Sequence, residues 1–138
     1  MSKKSQNVSG HTVTRNEISV AWEDNESVSA LRELVSDEPL RIEMSMYGGF
    51  EQVGPIGQSL PGNDKQITTE PGDIVLYSGN QIVVFYGSNS WSYTKLGHIT
   101  DQDVGEMTEL LGSGDVTITL SRVNYPYEPK GADYLKKD

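Results

Sequence analysis

The middle of the chain is a series of short apolar runs cut by glycine-centred turns, which restricts it to a fold of many short strands. Asp73 to Tyr77 and Gln81 to Tyr86 are almost wholly apolar, and Ser78-Gly79-Asn80 between them is a tight hairpin signal. A short, nearly continuous apolar run between turn signals predicts a strand buried on both faces. Further breaks at Gly48-Gly49, Pro71-Gly72 and Gly87-Ser88-Asn89 make turns recur roughly every eight to twelve residues. The 14 glycines and the modest 35% apolar content fit this punctuation, and 138 residues suffice for one domain with one core.

Outside that middle, the residues predict strands at Thr12–Trp22, Leu40–Tyr47, Gln66–Thr69, Ser90–Leu96 and Asp115–Ser121. Ile18, Val20 and Trp22 share one face of the first, and Leu40, Ile42, Met44 and Met46 share one face of the second. Helical spacing appears at Val28, Leu31, Leu34 and Val35, and again at Val104, Met107, Leu110 and Leu111. Thr100, with Asp103 three residues on, reads as the capping box of the second helix, and Gly112 and Gly114 end it. The resulting layout is a flexible lead-in over 1–11, a β domain over 12–123 and a loosely held tail over 124–138. About eight strands with two short helices favour a closed antiparallel barrel, which also hides the two most apolar strands from edge pairing.

The formal charge is −9, with no basic stripe to offset it, so the chain is expected to avoid nucleic acid and anionic membranes. The sequence has no cysteine, which excludes disulfides, thiolate metal sites and a cysteine nucleophile. No apolar stretch reaches the roughly 18 residues of a membrane span, and Met1–Gly10 lacks a signal-peptide core. A cytoplasmic monomer is the default expectation; an exported domain without its leader would look the same. His11 and His98 lack metal-ligand spacing, so neither a metal nor a cofactor is expected. Asp64, Glu70 and Asp73 lie near turns and could form a carboxylate site, although turn capping explains them more simply.

Several runs then point to a family. Met46-Tyr47-Gly48-Gly49-Phe50-Glu51-Gln52-Val53-Gly54 is followed by Ser59-Leu60-Pro61, by Asn63-Asp64, by Pro71 through Asn80, and by Asn89-Ser90-Trp91-Ser92-Tyr93-Thr94-Lys95-Leu96-Gly97. Together, over roughly Asn16 to Arg122, the chain resembles the small bacterial proteins labelled cyclophilin-like. The resemblance implies an eight-stranded barrel closed by two helices, and a biochemical role that is largely unassigned in the family.

True cyclophilins isomerise X-Pro bonds with an arginine in a Phe-x-Arg-(Val/Ile)-x-Pro segment. The nearest counterpart here, Phe50-Glu51-Gln52-Val53-Gly54-Pro55, puts Gln52 in the arginine's place. A neutral amide donates a weaker hydrogen bond than a guanidinium, so the segment argues against strong catalysis. The leading expectation is a binding domain for a peptide or small ligand, with Tyr47, Phe50, Gln52, Gln58, Phe85, Tyr86 and Trp91 forming its groove beside the Gly54–Asp64 loop. The alternative is a weak peptidyl-prolyl isomerase with Gln52 as catalytic carbonyl donor.

Overall fold

The computed structural model describes residues 6–8, 11–13, 16–122 and 133–137. Most of the expected lead-in and tail lies outside those residues. Among the described residues twelve strands and two helices follow one another, all strand pairs being antiparallel. β1 (Gln6–Val8) and β2 (His11–Val13) pair only with each other. β3 (Asn16–Trp22), α1 (Glu26–Leu34), β4 (Leu40–Glu43), β5 (Ser45–Tyr47), β6 (Glu51–Pro55) and β7 (Lys65–Thr68) come next. After them run β8 (Asp73–Tyr77), β9 (Gln81–Phe85), β10 (Ser90–Ile99), α2 (Val104–Leu111), β11 (Thr117–Arg122) and β12 (Asp133–Lys137).

The main sheet is ordered β4-β11-β12-β3-β10-β8-β9-β6-β5, with β7 attached to β10 off this path. β12, from the stretch expected as a tail, lies between β11 and β3. The expected closed eight-stranded barrel is not formed; the sheet is open. Its path ends at β4, which pairs β11, and at β5, which pairs β6, and among the described residues no ladder joins the two ends. The cause lies at Met44, where the run expected as one strand breaks. Its N–H turns to the Val116 carbonyl (2.8 Å) while the chain beyond swings to β6. Gly54 permits the close passage there, since a Cβ on it would sit 2.8 Å from the Glu43 carbonyl oxygen.

Alternation along β8 and β9 builds two cores. Ile74, Leu76, Ile82 and Val84 point to one side, where Val28, Leu31 and Val35 around α1 and Met107 and Leu111 of α2 cover them. Val75, Val83, Phe85 and Tyr93 form a separate cluster on the other side, with no helix over it. Burial on both faces of β8, expected from its composition, is what the structure has.

Both helices are held by side-chain caps. Asn25 accepts from the Val28 N–H (2.9 Å) at the start of α1. For α2 the box is Asp103 with Glu106, not Thr100 with Asp103: β10 runs to Ile99, and the Thr100 N–H donates to the Ser19 carbonyl. The later start leaves Val104 on the first turn, 60% exposed rather than buried. Among the described residues no helix is long and apolar enough to cross a membrane.

Candidate functional site

The helix-free side of the sheet carries a groove of about 700 Å³. Phe50, Glu51, Val53 and Val83 line it from β6, its preceding turn and β9, and Tyr77 and Gln81 from the ends of the β8–β9 hairpin. Ser45, Met46 and Tyr47 of the edge strand β5 form one wall, and Asn89, Trp91 and Tyr93 form the other. Tyr47 and Trp91 are 65% and 55% exposed, which is unusual for rings of that size and places them at the rim.

The walls are fixed by local chemistry. Gly48 and Gly49 take φ of +65° and +76°, a turn that glycine makes without penalty. A Cβ on Gly48 would stand 2.4 Å from the Phe50 ring, so the glycine also makes room for that ring. The Phe50 carbonyl accepts from the N–H groups of Tyr86 (3.0 Å) and Gly87 (2.9 Å), tying the turn to the end of β9. On the opposite wall, Asn89 donates to the Tyr93 hydroxyl (2.9 Å), while its own backbone is held by Thr69. Ring contacts run beneath the groove from Tyr47 to Phe50 (6.4 Å, edge-on), Phe50 to Phe85 (6.5 Å, stacked), Phe85 to Tyr93 (5.6 Å) and Tyr93 to Tyr77 (6.1 Å).

Among the described residues, Glu51 is the one charged residue lining this groove. It faces Tyr47 on β5 and Phe85 on β9 in the strand register and is 6% exposed. Its Oε1 is fully buried without a hydrogen-bond partner among the described residues. Burial pushes its pKa from 4.5 up to about 7, because a carboxylate loses hydration there and gains no donor in return. Burial also pushes the Tyr93 hydroxyl up; the Asn89 hydrogen bond works against this, and the Glu51 charge and then Tyr77 add to it. A carboxyl that changes charge near neutrality inside an aromatic cleft is a typical mark of a functional position.

Of the residues expected to form the site, Tyr47, Phe50 and Trp91 come together here. Phe85 is fully buried behind the lining residues, against Phe50 and Tyr93, and does not itself line the groove. Gln52, Tyr86 and Gln58 belong elsewhere. Gln52 is one residue out of phase with Glu51, so strand alternation sends it to the helix-packed side. There it is 0% exposed, and its amide donates to the carbonyls of Leu111 (2.7 Å) and Gly114 (2.8 Å). Both of its N–H bonds are consumed, so it cannot serve as carbonyl donor to an X-Pro substrate. Tyr86 is buried in the helix-packed core, and Gln58 is exposed on the Gly54–Asp64 loop.

That loop does not border the groove. Ile56 and Leu60 sink into the helix-packed core, the Leu60 N–H donates to the Gly79 carbonyl (2.7 Å), and Ser27 Oγ bonds the Pro61 carbonyl. The other carboxylates hold turns. Asp64 accepts from Thr94 Oγ1 (2.6 Å), and Asp73 accepts from the Glu70 N–H (2.9 Å). Asp73 also sits 2.7 Å from His98 Nδ1 and 3.4 Å from Lys95 Nζ. Sequence reasoning missed Glu51, Tyr77 and Tyr93 as site residues. The available signal was parity: Glu51 and Val53 alternate with Gln52, and only one of the two sets can share a face with Tyr47.

An antiparallel sheet with helices packed on one side and a ligand-sized aromatic groove on the other defines a mainly β, groove-bearing domain. A family model described as the Cyclophilin-like family matches residues 11–121, and the chain belongs to that family. Comparisons with curated proteins and with solved structures find no match.

Proposed function

We propose that this cyclophilin-like domain is a binding module that takes a peptide or small ligand into the groove between Tyr47 and Trp91. The observation that carries this reading is the pair of large rings left 65% and 55% exposed on either side of a cleft of about 700 Å³. Clefts of that size, mostly apolar with a few polar groups, are where ligands bury most of their surface. Ser45, Gln81 and Asn89 supply neutral hydrogen-bonding groups along the walls, and the aromatic rings supply apolar area at low entropic cost. A preformed base, with Phe85 stacked on Phe50 and edge-on to Tyr93, lowers the cost of binding further.

Chemical-shift mapping with pools of short peptides and small aromatic compounds tests this reading. The expected shifts fall on Tyr47, Phe50, Tyr77, Trp91 and Tyr93, and Trp91→Ala reduces them. Spectra that stay flat across these residues for every pool would retire the reading.

A further inference from the structure

Among the described residues, the groove has rings on its walls and floor, one acid and no base. No lysine, arginine or histidine lines it among the described residues, while Glu51 sits in its floor with a buried, unpartnered oxygen. Gln52 Oε1 and Tyr86 Oη are orphaned as well, but on the helix-packed side; Glu51 is the orphaned group that lines the cleft, where a donor from outside the chain can approach its carboxyl. Three features decide which donor. A carboxylate gains more from a charged donor than from a neutral one. The electron-rich faces of Tyr, Trp and Phe attract cations, and five such side chains line the cleft. The chain as a whole carries −9, which draws cations in and repels anions.

Resting on the binding reading above, we propose that the groove selects ligands bearing a protonated amine on an apolar stem, with the ammonium seated against Glu51 and the stem among Tyr47, Phe50 and Trp91. A lysine-like peptide side chain and an arylalkylamine share this chemistry. Selection works by compensation. The bound ammonium offsets the charge of Glu51 from the cleft side and keeps its carboxyl ionised, while an anion in the same place would face an unshielded negative charge. The other titratable groups lining the groove are the phenols of Tyr47, Tyr77 and Tyr93, and burial raises the pKa of Tyr93. Glu51, pushed up to about 7, is the carboxyl whose charge sets the affinity of an ammonium around neutrality.

Three probes of matched shape test this: phenethylammonium, 2-phenylethanol and 3-phenylpropionate, each titrated at pH 8 while the Tyr47, Phe50 and Trp91 resonances are followed. The expected order is ammonium over alcohol by about tenfold, with the carboxylate weakest. In Glu51→Gln the preference for the ammonium over the alcohol is lost. A second measurement needs no variant: in the wild-type chain, phenethylammonium lowers the midpoint of the Glu51 carboxyl ¹³C titration, and 2-phenylethanol does not. Equal affinity for ammonium and alcohol, or a preference that survives Glu51→Gln, overturns the amine assignment while the groove still binds. If none of the three probes moves the groove resonances, the binding reading falls and takes this assignment with it.

Discussion

Glu51 and Gln52 are neighbours on one strand, and they show what separates the two sides of the sheet. Gln52 enters the helix-packed side, where the C-terminal end of α2 offers two carbonyls and its amide hydrogens are both used. Glu51 enters the side without helices, where no donor meets its buried oxygen. The same split runs through β8 and β9. Leu76 and Ile82 are sealed under α1 and α2, while Val75, Val83 and Phe85 are covered only by side chains that leave a cleft above them. Gln52 Oε1 is itself buried without a partner, as Glu51 Oε1 is, so the difference is one of access: one side is sealed by its own helices, and the other keeps an open cleft beside its orphaned group. That asymmetry is the basis for reading the groove as functional.

The contrast can be broken most severely from the helix-packed side. Leu76→Ala removes a fully buried side chain from a core that helices hold in place, and is expected to cost about 3 to 4 kcal/mol in urea unfolding. A loss below about 1 kcal/mol would mean that this side is not a tight core. Glu51→Gln acts in the opposite direction. The folded carboxyl titrates at about 7 and the unfolded one near 4.5, so the native state binds the extra proton between these values. Wild-type stability is therefore fully present below about pH 4.5, falls as pH rises to about 7, and levels off above. The amide variant lacks that fall. Relative to wild type it gains on the order of 2 to 3 kcal/mol between pH 4.5 and pH 8. A constant difference across that range would contradict an unpartnered carboxyl.

Gln52→Leu sharpens the comparison. It strips the Leu111 and Gly114 carbonyls of their donor inside the molecule and is expected to cost about 2 kcal/mol, with groove binding unchanged. Impaired binding at unchanged stability would place Gln52 in the site after all. Trp91→Ala is the mildest for folding. A ring 55% exposed contributes little to the core, so the unfolding free energy should move by no more than about 0.5 kcal/mol while ligand-induced shifts are lost. A large destabilisation would recast Trp91 as structural.

These residues also mark how far the sequence could be read. The uniform apolarity of Asp73–Tyr77 announced a strand with two buried faces, and the structure supplies a separate core for each. The aromatic crowding around Tyr47, Phe50 and Trp91 was equally visible, and these three residues line one cleft. Three features were not legible. The open sheet depends on a change of partner at Met44, a long-range matter about which local alternation says nothing. The choice between Glu51 and Gln52 depends on the phase with which β6 leaves the Gly48-Gly49 turn, and a slip of one residue exchanges the faces. The start of α2 offered two overlapping boxes, Thr100 with Asp103 and Asp103 with Glu106, and the length of β10 decided for the later one.

The most direct test is a pH titration of the Glu51 side-chain carboxyl by ¹³C NMR in the ligand-free protein. A midpoint near 7 is the result expected of a carboxyl held without a donor in the floor of the groove. A midpoint near 4.5 would mean that Glu51 is hydrated or already paired, and the groove would lose the feature that distinguishes it from ordinary surface.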